Sequence, residues 1–406
     1  MAASACISCG ASPLVPVLSL GKTPLANALL TREQLERPEA RFPLDLAFCP
    51  DCAMVQITER VPPEVMFRDY AYFSSFSDTI VAAAKALAAR LVRERGLGPA
   101  SLVMEVASND GYLLQHYRDA GIPVLGIEPA VNIAKVANER GIRTRCEFFG
   151  RDSAAALAAE GLQADVLHAN NVLAHVPDLN GFVAGIARVL RPGGVAVIEA
   201  PYVRDMIEKC EFDTIYHEHL CYFSVSALDK LFTRHGLALA DVERIPVHGG
   251  SLRLFASAGV PNGASTLRLL EEERAAGMLE HAYYAGFAAH VERLRGELLA
   301  LIGRLKGEGR RIAAYGASAK GSTLLNCFGI GADQLEYVVD RSTEKQGRYT
   351  PGTRLRILPP EHLRGDWPDY LLLLSWNFLD EILGQQAAYR AAGGKFIVPI
   401  PEVRVV

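Results

Sequence analysis

Apolar positions change their period three times along this chain, and each change marks a different kind of structure. Over the first seventy residues the apolar runs are short and interrupted by Pro13, Pro16, Pro24, Pro38, Pro43 and Pro50. That texture predicts short strands and turns, because Pro removes a backbone donor and cannot sit inside a helix. From Ser77 the period becomes helical. Ile80, Ala84, Leu87 and Leu91 recur on one face, Arg and Glu fill the other, and Gly96 stops the run.

Strand and helix then alternate. Residues 101–108 (SLVMEVAS) read as a buried strand, 109–121 as a turn and helix, 124–129 as a second strand closed by Pro129, and 132–141 as a second helix. Residues 164–176 and 193–201 supply further strands, with a helix over 181–194 between them. This alternation predicts a parallel, doubly wound α/β sheet. A charged helical stretch follows from Ser265 to Gly307, in which Phe287, Val291, Leu294, Leu298, Leu301 and Leu305 form one apolar seam. Beyond it the alternation restarts with strands at 311–318, 335–340, 369–376 and 395–401 and a helix over 320–327. The fold class is therefore α/β, with expected domains at 1–70, 71–240 and 241–406.

A chain of 406 residues supports two or three domains. Half its residues are apolar, 22% are charged, and the net charge is −4, which leaves no electrostatic footprint for duplex nucleic acid or an anionic membrane. No apolar run reaches the roughly 18 residues of a membrane span. The first residues lack a basic, then apolar, leader before Cys6. A cytoplasmic protein is expected, with no membrane or nucleic-acid partner; its oligomeric state is left open.

Four of the eight cysteines form two Cys-x-x-Cys pairs, Cys6 with Cys9 and Cys49 with Cys52. Two-residue gaps let both sulfurs of a turn face one ion, and four thiolates suit tetrahedral Zn²⁺ with no open position. A structural zinc is expected in preference to free thiols, or to a redox pair, which would not need two copies.

Three further groups carry candidate chemistry. The first is the turn after the first buried strand, Glu105 to Gly111, with Ser108, Asn109 and Asp110 inside it. Such turns hold cofactors at the carboxyl edge of a sheet, although many merely connect elements. Ala107 and Asn109 stand where a dinucleotide fingerprint has glycine, which argues against a pyrophosphate lying on this backbone and so against NAD. Glu128 ends the next strand, where a carboxylate can take both hydroxyls of a ribose, and Asn170 and Asn171 end a later one. S-adenosylmethionine becomes the leading cofactor.

The second group is Tyr216-His217-Glu218-His219, followed by Tyr222 and Phe223. His217 and His219 do not match helical zinc spacing, so acid–base work is preferred to a metal site, with a decorated surface turn as the alternative. Tyr70-Ala71-Tyr72-Phe73-Ser74-Ser75 could close over such a site, and His248 precedes two glycines that allow close backbone approach. The other histidines are read as structural. The third group, Gly316 to Thr323, contains Ser318, Lys320, Gly321 and Ser322 at a strand-to-helix turn. It reads as an anion site or a plain turn; Lys320 precedes the second Gly, unlike a Walker A loop.

Taken in order, the two cysteine pairs, YFSS, EVASNDGYLL, GIEP, HANNVLAH, YHEHLCYFS, HGGSLR and YGASAKG resemble the nucleotide-sugar C-methyltransferases over nearly the whole chain. The resemblance implies a zinc-binding N-terminal domain, a central class I methyltransferase domain with a Rossmann-like sheet, and a C-terminal Rossmann-like domain that helps hold the nucleotide sugar. It implies catalysis by Tyr216, Glu218 and His219 with an upstream tyrosine, Tyr72 or its rival Tyr70. It assigns the C-terminal turn to the substrate diphosphate. The expected reaction is S-adenosylmethionine-dependent methylation at C3 of a TDP-linked 4-keto-deoxyhexose. The rival readings are an epimerase or tautomerase using the same base, and a non-catalytic nucleotide-sugar binder.

Overall fold

A computed structural model describes residues 5–62, 73–246, 249–365 and 367–406. The Pro-interrupted N-terminal segment forms β1 (Val15–Thr23), β2 (Phe42–Phe48) and β3 (Val55–Ile57), an antiparallel meander. Its fourth strand comes from far along the chain, as described below.

The helix expected after Ser77 spans Asp78–Arg95. Ser77 caps it by accepting from the Ile80 N–H, Gly96 ends it with φ +59°, and Ala84, Leu87, Ala88 and Leu91 are its buried face. It packs beside a central sheet built from β4 (Val103–Val106), β5 (Val124–Ile127), β6 (Thr144–Arg145), β7 (Ala164–Asn170) and β8 (Leu190–Pro201). These five are parallel in the order β6-β5-β4-β7-β8, so the strand order reverses between β4 and β7. The helix expected over 181–194 ends earlier, at Val189. Arg191-Pro192-Gly193-Gly194 cannot continue it and instead lies in β8.

The short strand β9 (Cys221–Tyr222) pairs with β3 and completes the N-terminal sheet. Then β10 (Leu237–Ile245) and β11 (Ser251–Ala258) return to the central sheet, β11 antiparallel to β8 and β10 antiparallel to β11. The central sheet thus draws strands from both sides of residue 240.

The charged helical stretch is three helices, Ala264–Ala275, His281–Tyr284 and Phe287–Gly307. In the last of these the buried seam matches the expected one except that Ile302 replaces Leu301, which is only partly buried. A strict 4-3-4-3 spacing drifts from 3.6 residues per turn, and one substitution along the seam absorbs the drift. The C-terminal sheet has β12 (Ile312–Tyr315), β13 (Val338–Val339), β14 (Ile357–Leu358), β15 (Tyr370–Leu373) and β16 (Lys395–Val398) parallel in the order β14-β13-β12-β15-β16, with β17 (Arg404–Val405) antiparallel at the edge. Among the described residues no helix is long and apolar enough to cross a membrane.

Candidate active site

In a doubly wound sheet ligands bind beyond the carboxyl ends of the strands, where the strand order reverses. In the central sheet that edge carries the turn after β4, Glu128 after β5, and Asn170 and Asn171 after β7. The turn takes left-handed backbone at each position of its alternating pattern, φ being +55° at Ala107, +50° at Asn109 and +80° at Gly111. It keeps the backbone path that glycines would give while dispensing with two of them. Asn109 uses its side chain: its Oδ1 accepts from the Ser74 N–H at 2.8 Å, and Asp110 beside it accepts from the Ser75 hydroxyl. Arg140 donates to the buried Asp110 carboxylate at 2.8 Å. Phe73–Ser75 are therefore anchored on the turn. Tyr70 and Tyr72, immediately upstream, lie outside the described residues, as does His248.

Glu128 is buried, and each carboxylate oxygen accepts one backbone N–H, from Asn109 at 3.0 Å and from Ala130 at 2.9 Å. Each oxygen keeps a second lone pair for a ligand hydroxyl. Burial pushes the carboxyl up to about 6, opposed by those two N–H groups. Glu105, deeper in the strand, is held well above the usual carboxylate range by burial and by Glu128, Asp110 and Glu199 around it. Buried polar atoms of Glu105, Ser108, Asp110, Asn170 and Glu147 have no hydrogen-bond partner among the described residues. So many orphaned polar atoms along one sheet edge fit a polar ligand such as S-adenosylmethionine, whose ribose and amino-acid ends would satisfy them. Glu147, beyond β6, went unnoticed in the sequence because no motif marks it.

The Tyr-His-Glu-His run lies at the seam between the central and N-terminal domains, directly before β9. Its side chains go three ways, Tyr216 and His219 staying together. His219 Nδ1 lies 2.8 Å from the Thr214 carbonyl, and Nε2 lies 2.8 Å from Tyr216 Oη. A carbonyl can only accept, so Nδ1 carries the proton; in the neutral ring Nε2 is then the acceptor of the Tyr216 O–H. Glu218 is buried and accepts at both oxygens from the side-chain amide of Asn27, at 2.7 and 2.9 Å. His217 points away, its Nε2 3.1 Å from the Pro43 carbonyl and its ring edge-on to Phe42. Two partners escaped the sequence reading. Asn27 lies almost two hundred residues upstream, and His175 was read as structural. The His175 ring packs edge-on to His219 with centroids 4.8 Å apart, and it interacts with the backbone of Glu218 and of Asn171. Burial pushes it down to about 4, so it is neutral near pH 7 and adds no positive charge beside His219.

The C-terminal turn behaves differently at each position. Ser318 caps the helix Ala319–Phe328 by accepting from the Gly321 N–H at 3.0 Å, and Ser322 is buried within that helix. Lys320 turns inward: its ammonium stands 4.7 Å from the Trp376 ring centroid, without a hydrogen-bond partner among the described residues. The Trp376 indole N–H donates to the buried Asp213 carboxylate at 2.7 Å. Burial raises both Asp213 and Glu211, Glu211 to about 7, and Lys320 draws each of them back down. Gly249 passes so close to Glu211 that a Cβ there would lie 2.6 Å from its carboxylate oxygen; this close approach is what glycine allows after His248. Beyond β12, β13 and β15 a pocket of about 180 Å³ opens, lined by Phe73, Phe76, Gly316, Ser318, Arg341 and Lys345 among others. Its cations, Arg341 and Lys345, which the sequence did not single out, face Glu381 at 3.4 Å and Asp340 at 4.0 Å on the same lining. Lys320 does not line it.

The four cysteine sulfurs lie within 4.8 Å of one another, Cys6 and Cys52 at 3.5 Å and Cys9 and Cys49 at 3.6 Å. The edge of a ZnS₄ tetrahedron with 2.3 Å bonds is about 3.8 Å, so the sulfurs fit zinc. Burial pushes Cys49 up, and the hydrogen bond between Cys6 and Cys52 raises Cys52 while lowering Cys6 to about 5, so the four thiols do not ionise alike without a cation.

This architecture is that of a class I methyltransferase sheet with a cysteine zinc site on one side and a second α/β domain on the other. Family profiles agree along the chain: a putative zinc-binding domain over residues 6–67, a methyltransferase domain over 80–242, and a C-methyltransferase C-terminal domain over 246–401. The C-methyltransferase NovU of Streptomyces niveus is 37% identical over 99% of this chain and 96% of its own. The chain belongs to this family of C-methyltransferases, enzymes dependent on S-adenosylmethionine, and its four cysteines are a structural zinc site. A ubiquinone biosynthesis O-methyltransferase of Burkholderia pseudomallei is 26% identical over 37% of this chain and 70% of its own. Among solved structures, the magnesium protoporphyrin IX methyltransferase ChlM of Synechocystis PCC 6803 covers 44% of this chain and 79% of its own at 16% identity, with a TM-score of 0.34.

Proposed function

We propose that this C-methyltransferase adds a methyl group to C3 of a nucleotide-linked 4-keto-deoxyhexose, a TDP sugar being the expected substrate, through an enolate. The observation that carries the proposal is the fixed tautomer of His219. With Nδ1–H held by the Thr214 carbonyl, the basic nitrogen of the ring is Nε2, and it faces the Tyr216 phenol. A ketone acidifies the neighbouring C–H, so one placed base suffices. On substrate binding Tyr216 turns its O–H from His219 to the ketone oxygen, leaving Nε2 to take the C3 proton. Tyr72, or Tyr70, gives the developing oxyanion a second hydrogen bond. Bound S-adenosylmethionine supplies an electrophilic methyl group, which the enolate carbon accepts. Glu128, with Ser108, Asn109, Asp110, Gly111, Asn170 and Asn171 around it, holds the ribose and amino-acid ends of the cofactor.

We assign the nucleotide to the C-terminal domain, the pocket beside Ser318 with Arg341 and Lys345 being its support. Gly316 and Ser318 of the expected turn line this pocket, whereas Lys320 faces Trp376 and Ser322 is buried within the helix, so neither is assigned a contact with the nucleotide. The division of labour follows the three expected parts, 1–70, 71–240 and 241–406, except that β10 and β11 carry the central part on to Ala258.

His219→Asn keeps size and polarity but removes the basic nitrogen. Methyl transfer should fall by about 10²–10⁴-fold, the usual worth of a general base. Exchange of the C3 proton with deuterated solvent should fall in parallel, with cofactor and sugar affinities little changed. Wild-type exchange in this variant alongside lost exchange in Glu218→Gln would make Glu218 the base. Exchange untouched by either change would sink the proposal. Products heavier by one CH₂ report transfer, whereas deuterium uptake alone reports epimerisation.

A further inference from the structure

We infer that Asn27, a residue of the zinc-bearing domain, is a positioning residue for the catalytic run: it donates to both oxygens of Glu218 and fixes their direction. The inference rests on the reading that Glu218 takes part in the reaction, and it asks what gives that carboxylate its geometry. The structure offers the side-chain amide of Asn27. Asn27 Nδ2 lies 2.7 Å from Glu218 Oε1 and 2.9 Å from Oε2, so both oxygens face the same donor group. An amide nitrogen can only donate, which suits a carboxylate and disfavours a protonated acid at that contact. Glu218 is 3% exposed, and at such burial a charged group without donors would be pushed toward its neutral form.

Asn27 is itself held from two sides. Its turn follows β1, and within it the Leu29 N–H donates to the Asn27 carbonyl at 2.8 Å. Three residues on, Leu30 exchanges two backbone hydrogen bonds with Tyr349 of the C-terminal domain, both at 2.9 Å. From the other direction, the backbone after Glu218 is fixed to the N-terminal sheet. The Ile57 N–H donates to the Leu220 carbonyl at 3.0 Å, and β9 pairs with β3. The amide and the carboxylate therefore meet across a seam closed on both flanks. The zinc-bearing domain reaches into the active site through this residue rather than only supporting it from outside.

The test uses full-length, zinc-loaded protein. Asn27→Ala should lower kcat roughly 10- to 100-fold, the kinetic equivalent of one charge-assisted hydrogen bond. The sugar KM, zinc content and melting temperature should change little. The acidic limb of the kcat profile should move to higher pH, because losing one donor to a carboxylate favours the protonated form. Asn27→Asp, of the same size, should move that limb further by setting a second carboxylate against the first. The swap Asn27→Asp with Glu218→Gln restores an amide–carboxylate contact with its ends exchanged. It should keep melting temperature and zinc content near those of the wild type while turnover stays low. Turnover rescued by the swap would make the contact purely structural and overturn the inference. So would wild-type kcat and pH profile in Asn27→Ala while Glu218→Gln is impaired. Wild-type turnover in Glu218→Gln would instead remove Glu218 from the reaction, and this inference with it.

Discussion

At the scale of single residues, Glu128 is where electrostatics and ligand binding meet most directly. Burial raises its carboxyl to about 6, above its value in an unfolded chain. The sign follows: the protonated form is the one the fold favours, and that stabilisation is lost as pH rises through about 6. A ribose hydroxyl, however, needs an oxygen that accepts while Asn109 and Ala130 are also donating, which only the ionised form supplies. The stabilisation given by S-adenosylhomocysteine should therefore grow as pH rises from 5 to 7. A melting-temperature series with and without ligand reads it directly. Glu128→Ala should weaken ligand binding by roughly 1.5–3 kcal/mol, as for lost hydrogen bonds to a charged group, and should flatten the pH dependence. Unchanged affinity by calorimetry would take Glu128 out of the cofactor site. Glu128 was legible in the sequence because its position after the second strand is enough to name it. Asn27, His175 and Glu147 were not, because their meaning lies in distances between segments that share no local pattern.

At the scale of elements, the turn after β4 makes an argument about what glycine is for. Ala107 and Asn109 occupy left-handed backbone that costs an L-residue roughly 1 kcal/mol or more. Ala107→Gly should leave stability unchanged or raise it by up to about 1 kcal/mol, since relieved strain and lost chain stiffness oppose each other. Ala107→Val should lower it clearly, a β-branched side chain being a poor fit at positive φ. Asn109→Gly relieves the same backbone but deletes the acceptor for the Ser74 N–H, so it should weaken cofactor binding where Ala107→Gly does not. Calorimetry on the pair separates backbone path from side-chain anchoring; equal affinities would show that the Asn109–Ser74 anchor does not contribute to cofactor binding. Elements of this kind were well read from period and punctuation. The helix after Ser77, the Gly96 stop and the strands of both parallel sheets other than the two-residue edge strands β6 and β14 stand close to where the pattern put them. The helix over 181–194 ran too far because its apolar period continues into a Pro-Gly-Gly segment that belongs to the next strand. The hairpin of β10 and β11 was not read as strands because its pairing to β8 is long-range, although Gly249-Gly250 between the two strands is a turn signal.

At the scale of the whole molecule, the zinc site and the reacting groups belong to one mechanical unit. Ser8, between Cys6 and Cys9, accepts at its carbonyl from Asn180 and from Arg234 of the central domain, both at 2.9 Å. Lys230 donates to the Asp51 carbonyl beside Cys52 at 3.0 Å. Both zinc knuckles are thus bound to the helices under the central sheet, while the same domain delivers Asn27 to Glu218. A four-cysteine site closed to other ligands contributes folding energy, not chemistry. Cys49→Ser should accordingly lower melting temperature, solubility and zinc content together, and turnover should be lost only to the extent that those are lost. A chelator should act in the same order, with intrinsic fluorescence or circular dichroism changing no later than activity. Restoring zinc before aggregation should restore both. Loss of turnover with an unchanged melting curve and full zinc content in Cys49→Ser would contradict the structural role and place the metal in the reaction itself.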